Sequence, residues 1–372
     1  MNMRSHFSSH RCINLLLMLW CFLLNDGFLR AVNADTAVLV AGGGINNDGS
    51  QADTAKLYQP FAIAFTADDE MLFVEFTGGE RLRRVARDGI VTTLGGTGHK
   101  GFSGDDGPAL SATFNALHDL AIGNDGKIYL ADTFNHCIRV FDPKNGTVSG
   151  FAGGTKGFSG DGGPARSAQF DQAYSIAFSS DHSTLYVVDL GNSRLRGIDM
   201  KSGIIKTVAG NGARGVPLDG KLAVNQPLVD LRAVTVASDG TLYLLERAGN
   251  ALRIVKPDGT MHRVAGTGKA GSEGNGGPAL NAAFNGPKYV SMSKDGSVLI
   301  VDTENHQIRR YVPHKQIVEL VVGSGIQGTA GIGGDPLTLQ LARPHGAFEH
   351  PQTGDLYIAD SDNHRIVKIV RD

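Results

Sequence analysis

Cysteine, tryptophan and an excess of either charge are what this sequence has least of, and each shortage excludes something. There are three cysteines and one tryptophan in 372 residues. Cys12, Cys21 and Trp20 all fall in an N-terminal stretch that reads as a secretory leader. Arg4 and Arg11 supply its positive start, Ile13 to Leu24 its apolar centre, and Val32-Asn33-Ala34 a small-residue cleavage site. Residues 1–34 are therefore expected to be a signal peptide and the protein to be secreted or periplasmic. Cys137 is then the one cysteine left, so no intramolecular disulfide is available and stability must come from a core. Lys and Arg number 35 against 37 Asp and Glu, a net charge of -2 that becomes -4 once the leader is gone. Without a basic excess to neutralise phosphates, no nucleic-acid partner is expected. The longest apolar run, Ile13 to Leu24, is shorter than the roughly 20 residues that span a bilayer, so no transmembrane segment is expected in the mature chain.

Glycine, by contrast, is abundant, at 50 residues spread along the whole chain. It belongs to a repeat. An Ala-Gly-like element recurs with its glycine at Gly42, Gly96, Gly153, Gly210, Gly266 and Gly323, and an acidic residue ends an apolar run at Glu75, Asp132, Asp189, Glu246, Asp302 and Asp360. Both series step by close to 57 residues, and six copies fill residues 35–372. Each copy holds four short β-patterned runs, in the second roughly His118 to Gly123, Lys127 to Ala131, Cys137 to Phe141 and Thr147 to Ala152. Hairpin dipeptides such as Asp125-Gly126, Asn145-Gly146, Asp239-Gly240, Asp258-Gly259 and Asp295-Gly296 separate them. Four strands per copy and six copies predict an all-β, six-bladed β-propeller. The last copy lacks a fourth strand, and Ala37 to Ala41 has that pattern. Pairing of the N-terminal and C-terminal strands is expected to close the ring.

Asp-Thr-Phe-Asn-His-Cys-Ile-Arg at Asp132 to Arg139, Asp-Thr-Glu-Asn-His-Gln-Ile-Arg at Asp302 to Arg309 and Asp-Ser-Asp-Asn-His-Arg-Ile at Asp360 to Ile366 resemble the NHL repeat. The loops Gly101 to Ala109 and Gly157 to Ala165 resemble those of secreted bacterial NHL-repeat proteins and are similar to loops of the teneurin propeller. The resemblance covers residues 35–372 and implies a fold more than an activity. Propellers of this kind serve as binding modules, as sensor domains and, in a few cases such as the peptide-amidating lyase, as enzymes. Copies one and four depart most: Gly78-Gly79-Glu80 stands where Asn-His is expected, and the loop Gly212 to Pro227 lacks Gly-Pro-Ala.

A residue type repeated in every blade serves a need of every blade, which is structural. The six acidic strand ends are read as caps of the following turn. Arg83, Arg139, Arg196, Arg253 and Arg309, recurring on the third strand, are read as their partners. Asn135-His136, Asn305-His306 and Asn363-His364 lie in separate blades, too dispersed to share one tetrahedral ion. Asp105, Asp106 and Asp161, in the Gly-rich loops, are the weak metal candidates, for calcium, but they lack the ligand alternation of an EF-hand. Calcium or zinc is the cofactor to test. No Lys-Ser/Thr follows these loops, so they are not phosphate loops.

Function is better sought where the blades differ yet converge, at the start of each innermost strand. Counting back from the acidic marker gives Phe61, His118, Tyr174, Arg232, Lys288 and His345, with Asp119 and Tyr289 next in line. This set is the expected ligand-binding ring at the channel mouth. Its residue types suit anionic or peptide-like ligands and general acid–base work; the bland alternative is a solvated rim with Arg and Lys turned outward. The favoured reading is a monomeric, exported propeller that binds a protein, peptide or glycan through its loop-rich face and channel mouth. The alternative is a propeller enzyme, a metal-assisted lyase or lactonase acting at that mouth. The Glu, Asn and Asp of gluconolactonase-like propellers cannot be matched residue by residue. No Gly-x-Ser-x-Gly elbow supports a serine hydrolase.

Overall fold

The computed structural model describes residues 35–371, and the expected leader at 1–34 lies outside them. Six antiparallel sheets follow one another, and each strand pairs with its chain neighbour in order. Blade 1 is Pro60–Phe65, Met71–Glu75, Arg81–Val85 and Val91–Gly95. Blade 2 is Leu117–Ile122, Ile128–Asp132, Cys137–Asp142 and Thr147–Gly153. Blades 3, 4 and 5 begin with the innermost strands Ala173–Phe178, Leu231–Val236 and Tyr289–Met292. Blade 6 takes Gly346–Glu349, Leu356–Asp360 and Arg365–Val370 from the C-terminal end and its outermost strand, Thr36–Gly42, from the N-terminal end, with Thr36 opposite Val370 and Gly42 opposite Arg365. The expected closure is therefore observed. Among the described residues no helix is long and apolar enough to cross a membrane.

Each blade presents aliphatic side chains on both faces, so the core lies between blades. Leu72, Val74 and Leu82 of blade 1 meet Leu120, Ile128 and Leu130 of blade 2, all buried. Each inter-blade loop adds a fully buried plug, Phe114, Phe170, Leu228, Phe284 or Leu341 among them, each contributing roughly 1.5–3 kcal/mol of burial. The same loops cover the outer edges, which would otherwise be open to strand pairing. Gly107-Pro108 and Lys221-Leu222 add a fifth strand to blades 2 and 4. Single bridges from Gln51, Pro164 and Pro278 do the same on blades 1, 3 and 5.

The repeated acids do not cap the turn that follows them, which corrects the sequence reading. Each carboxylate reaches back to the lead-in of its own innermost strand and accepts one backbone N–H there. Tyr58, Asn115, Asp171, Val229, Asn285 and Ala342 donate to Glu75, Asp132, Asp189, Glu246, Asp302 and Asp360 at 2.7–3.0 Å. The strand-three arginines are their partners, as expected: Arg83 on Glu75, Arg139 on Asp132, Arg196 on Asp189, Arg253 on Glu246 and Arg309 on Asp302. A carboxylate from the Gly-rich loop closes the other side of the guanidinium. Asp48, Asp105, Asp161 and Asp219 fill this place in blades 1 to 4, and the amide oxygen of Asn275 fills it in blade 5. In blade 6 the loop carries Ile332 instead. There the strand position holds Val367, and Arg365, two residues earlier, takes over Asp360. Loop carboxylate and arginine position change together, as paired parts would.

Candidate functional site

What brings the ring residues to the axis is a kink two residues ahead of each. Gln59, Ala116, Gln172, Asp230, Gly286 and Arg343 all have φ between 39° and 64°, and only one of the six is glycine. Left-handed backbone is costly for the other five and persists only where neighbours enforce it. The preceding blade does so at three of the five, and it also holds the glycine. His364 Nδ1 accepts the Gln59 N–H, His136 that of Gln172 and His306 that of Arg343, while Asn250 Oδ1 accepts that of Gly286. The Asn of each Asn-His pair donates instead to its own blade's acid and to the loop carbonyl, as Asn135 does to Asp132 at 2.9 Å and to Gly101 O at 2.7 Å. Asn-His pairs are thus clamps between blades, and Arg–acid pairs are clamps within them.

All six ring residues come together and all are buried, between 1% and 7% exposed, so the solvated rim is not what forms. Phe61 stacks on His345 at 4.1 Å between ring centroids and on Phe76 at 4.3 Å. His118 stands edge-on to Phe61 at 5.1 Å and to Tyr174 at 4.5 Å. The Arg232 guanidinium lies 3.8 Å from the Tyr174 ring centroid, with Nη2 3.2 Å from His118 Nε2. Lys288 Nζ lies 2.8 Å from Glu304 Oε1, and Arg343 holds the same carboxylate. The mouth is thus divided. Phe61, Phe76, Phe134 and Tyr174 make one half aromatic, and Arg232, Lys288, Glu304 and Arg343 make the other charged.

One tier deeper, Asp119 ties three blades together. Its carboxylate accepts from Leu120 N at 2.9 Å, from Ile176 N of blade 3 at 2.9 Å and from Tyr289 Oη of blade 5 at 3.3 Å. Gly346 completes this tier because a Cβ there would sit 2.1 Å from the Phe61 carbonyl oxygen.

Burial sets the protonation states. It pushes Asp119 up to about 7 against the pull of its hydrogen bonds, and it lowers Lys288 to about 8 despite Glu304. His118 and His345 are driven well below the usual imidazole range, by burial first and then by Arg232 and Lys288. Arginine only donates, so His118 Nε2 accepts from Arg232, and the neutral ring carries its proton on Nδ1. His118 also has a backbone hydrogen bond at Tyr174, and Arg232 one with the Tyr174 side chain, whereas Arg232 Nε is buried without a partner. Among the described residues no carboxylate pairs with Arg232. Asp230 acts on it only at longer range and is itself bonded to Arg247 at 2.6 Å. Sequence reasoning missed Phe76, Phe134, Glu304 and Arg343, which follow the acidic markers or occupy the kink. Glu304 and Phe134 hold equivalent places two residues after Asp302 and Asp132, a position that varies between copies and was legible as such.

The metal candidates separate from this site. Asp105 and Asp161 are bound to Arg139 and Arg196, and Asp106 is an exposed left-handed turn residue. No group of three or more His, Cys, Asp or Glu that could hold a metal occurs among the described residues.

Comparison with known proteins agrees with the blade count and the motif. The NHL repeat model matches residues 114–141. NHL repeat-containing protein 2 of Gallus gallus is 26% identical over 344 residues, covering 82% of this chain and 46% of that protein. The chain spans between about a quarter and a half of the length of the first curated relatives it matches. An auxiliary nutrient binding protein from Bacteroides ovatus superposes with a TM-score of 0.67 at 14% identity, over 91% of this chain and 77% of that one. Virginiamycin B lyase from Staphylococcus aureus does so with a TM-score of 0.51 at 13% identity, over 85% and 98%. At such identities these two structures speak to the fold alone.

Proposed function

We propose that this chain, an NHL-repeat six-bladed propeller, is an exported binding module that takes the anionic group of a protein, peptide or glycan at its channel mouth. Arg232 carries the reading. A guanidinium buried without a carboxylate costs folding free energy, and an incoming carboxylate or phosphate would supply the bidentate partner it lacks. The aromatic half of the mouth offers stacking surface to the rest of the ligand.

Calorimetric titration with two matched pairs tests this: glucuronate against glucose, and Gly-Gly-Phe against its C-terminal amide. The charged member of at least one pair binds, its neutral counterpart binds at least tenfold more weakly, and Arg232→Met removes binding. No binding by any of the four, or binding indifferent to both charge and Arg232, overturns the reading.

A lyase or lactonase acting at the same mouth is the second reading. It is favoured by the gathering of groups that titrate near neutrality, Asp119 at about 7 and Lys288 at about 8, beside two neutral imidazoles. Stoichiometric calcium or zinc on the purified protein would favour it over simple binding.

A further inference from the structure

The channel has a second opening, at the end away from the mouth. Beyond the Tyr289–Asp119 tier the inner strands enclose a cavity of about 310 Å³, bounded by residues from Ile63 to Phe65, Leu120 to Ile122, Ile176 to Phe178 and their counterparts in blades 4 to 6. Three features give it a chemistry. No Asp, Glu, Lys or Arg lines it, and its one imidazole, His182, is stacked on Phe178 at 4.9 Å between ring centroids, so a charged ligand would find no permanent counter-charge there. Ala64, Ala121, Ala177, Thr235 and Ser291 line it, one residue from each of five blades, all small, which leaves the space unfilled. At the strand ends half-buried Phe65, Phe178, Phe348 and Met292 form an apolar, polarizable collar.

From these features we infer that this end of the channel is a second binding site, independent of the charged mouth, for a small uncharged aromatic molecule of about two fused or linked rings. The size follows from the volume: a cavity of roughly 150 Å³ takes one benzene, and this one is about twice that. The innermost strands are sheet edges, so their inward N–H and C=O groups favour a ring system with a hydroxyl or amine over a bare hydrocarbon. The site also lies at the lower end of ordinary ligand pockets, roughly 300–1,000 Å³. The Tyr289–Asp119 hydrogen bond separates it from the Arg232 mouth, so the two sites can be occupied independently.

The probe is N-phenyl-1-naphthylamine, an uncharged two-ring-system amine that fluoresces when it leaves water. Titrated into the protein, it should saturate at one molecule per chain. Thr235→Leu and Ala177→Leu, which add bulk to half-buried lining positions, should each weaken binding at least tenfold, and Arg232→Met should leave it unchanged. Melting curves of each variant show whether it is folded. Should one leucine variant not fold, Met292→Trp fills the collar from a half-buried position and must give the same loss. Non-saturating fluorescence, or saturable binding that survives filling of the cavity in a folded variant, overturns the inference. Loss with Arg232→Met would assign the probe to the mouth and overturn it equally.

Discussion

The arginines of the blade bodies and the arginine of the channel mouth are the same side chain in opposite circumstances. Arg139 and Arg196 are fully buried, yet each lies between two carboxylates and donates to backbone carbonyls as well. Arg232 is nearly as buried, and it faces a phenol, a neutral imidazole and no carboxylate. Repetition separates the two cases. The first kind recurs in every blade with a carboxylate of its own blade; the second occurs once and has none. A propeller thus keeps scaffold and site in the same strands and distinguishes them by whether the protein supplies the arginine with a carboxylate.

The sharpest break in that comparison should come from removing one scaffold arginine. Arg139→Met leaves Asp132 and Asp105 without their guanidinium, with Asp132 fully buried. Breaking one side of a buried pair costs about 3–5 kcal/mol, so a loss of that size is expected in urea unfolding. A smaller effect is expected at Asp119, whose pKa burial raises much as it raises that of the scaffold acid Asp132. Its pKa rises from 3.8 to about 7 on folding, so the native state holds a proton that the unfolded chain has released between about pH 4 and 7. That stability is fully present below about pH 4 and is lost as pH rises through about 7. Asp119→Asn should remove one group's share of the slope, on the order of 1 kcal/mol per pH unit at most, and leave the shares of Asp132, Asp189 and Asp302, when melting temperatures of variant and parent are compared from pH 4 to 8.

Much of this architecture was legible because repeats multiply weak signals. One strand pattern is ambiguous, but six acidic strand ends 57 residues apart are not. The missing fourth strand at the C-terminal end likewise pointed to Ala37 to Ala41, and the register with Arg365–Val370 bears that out. The ring was countable for the same reason, and all six residues do meet at the axis. Its burial was not legible. The kinks at Gln59, Ala116, Gln172, Asp230 and Arg343 carry no glycine to announce a left-handed residue, and it is those kinks that turn the side chains inward. The role of the acids was misread because their donors lie 17 or 18 residues earlier in the chain. Local turn rules look only a few residues ahead. The far cavity was invisible because its cause is a set of small residues, one from each of five blades, that no single strand makes unusual.

Unfolding of Arg232→Met by urea, beside the parent and Arg139→Met, tests the central distinction most directly. Removing a buried charge that lacks a carboxylate removes its desolvation cost, which offsets the loss of one bond to His118 and the Tyr174 contact. The account therefore predicts a midpoint for Arg232→Met equal to or above the parent's, together with loss of anion binding. A loss of stability as large as that of Arg139→Met would contradict it, since Arg232 would then be scaffold like the rest.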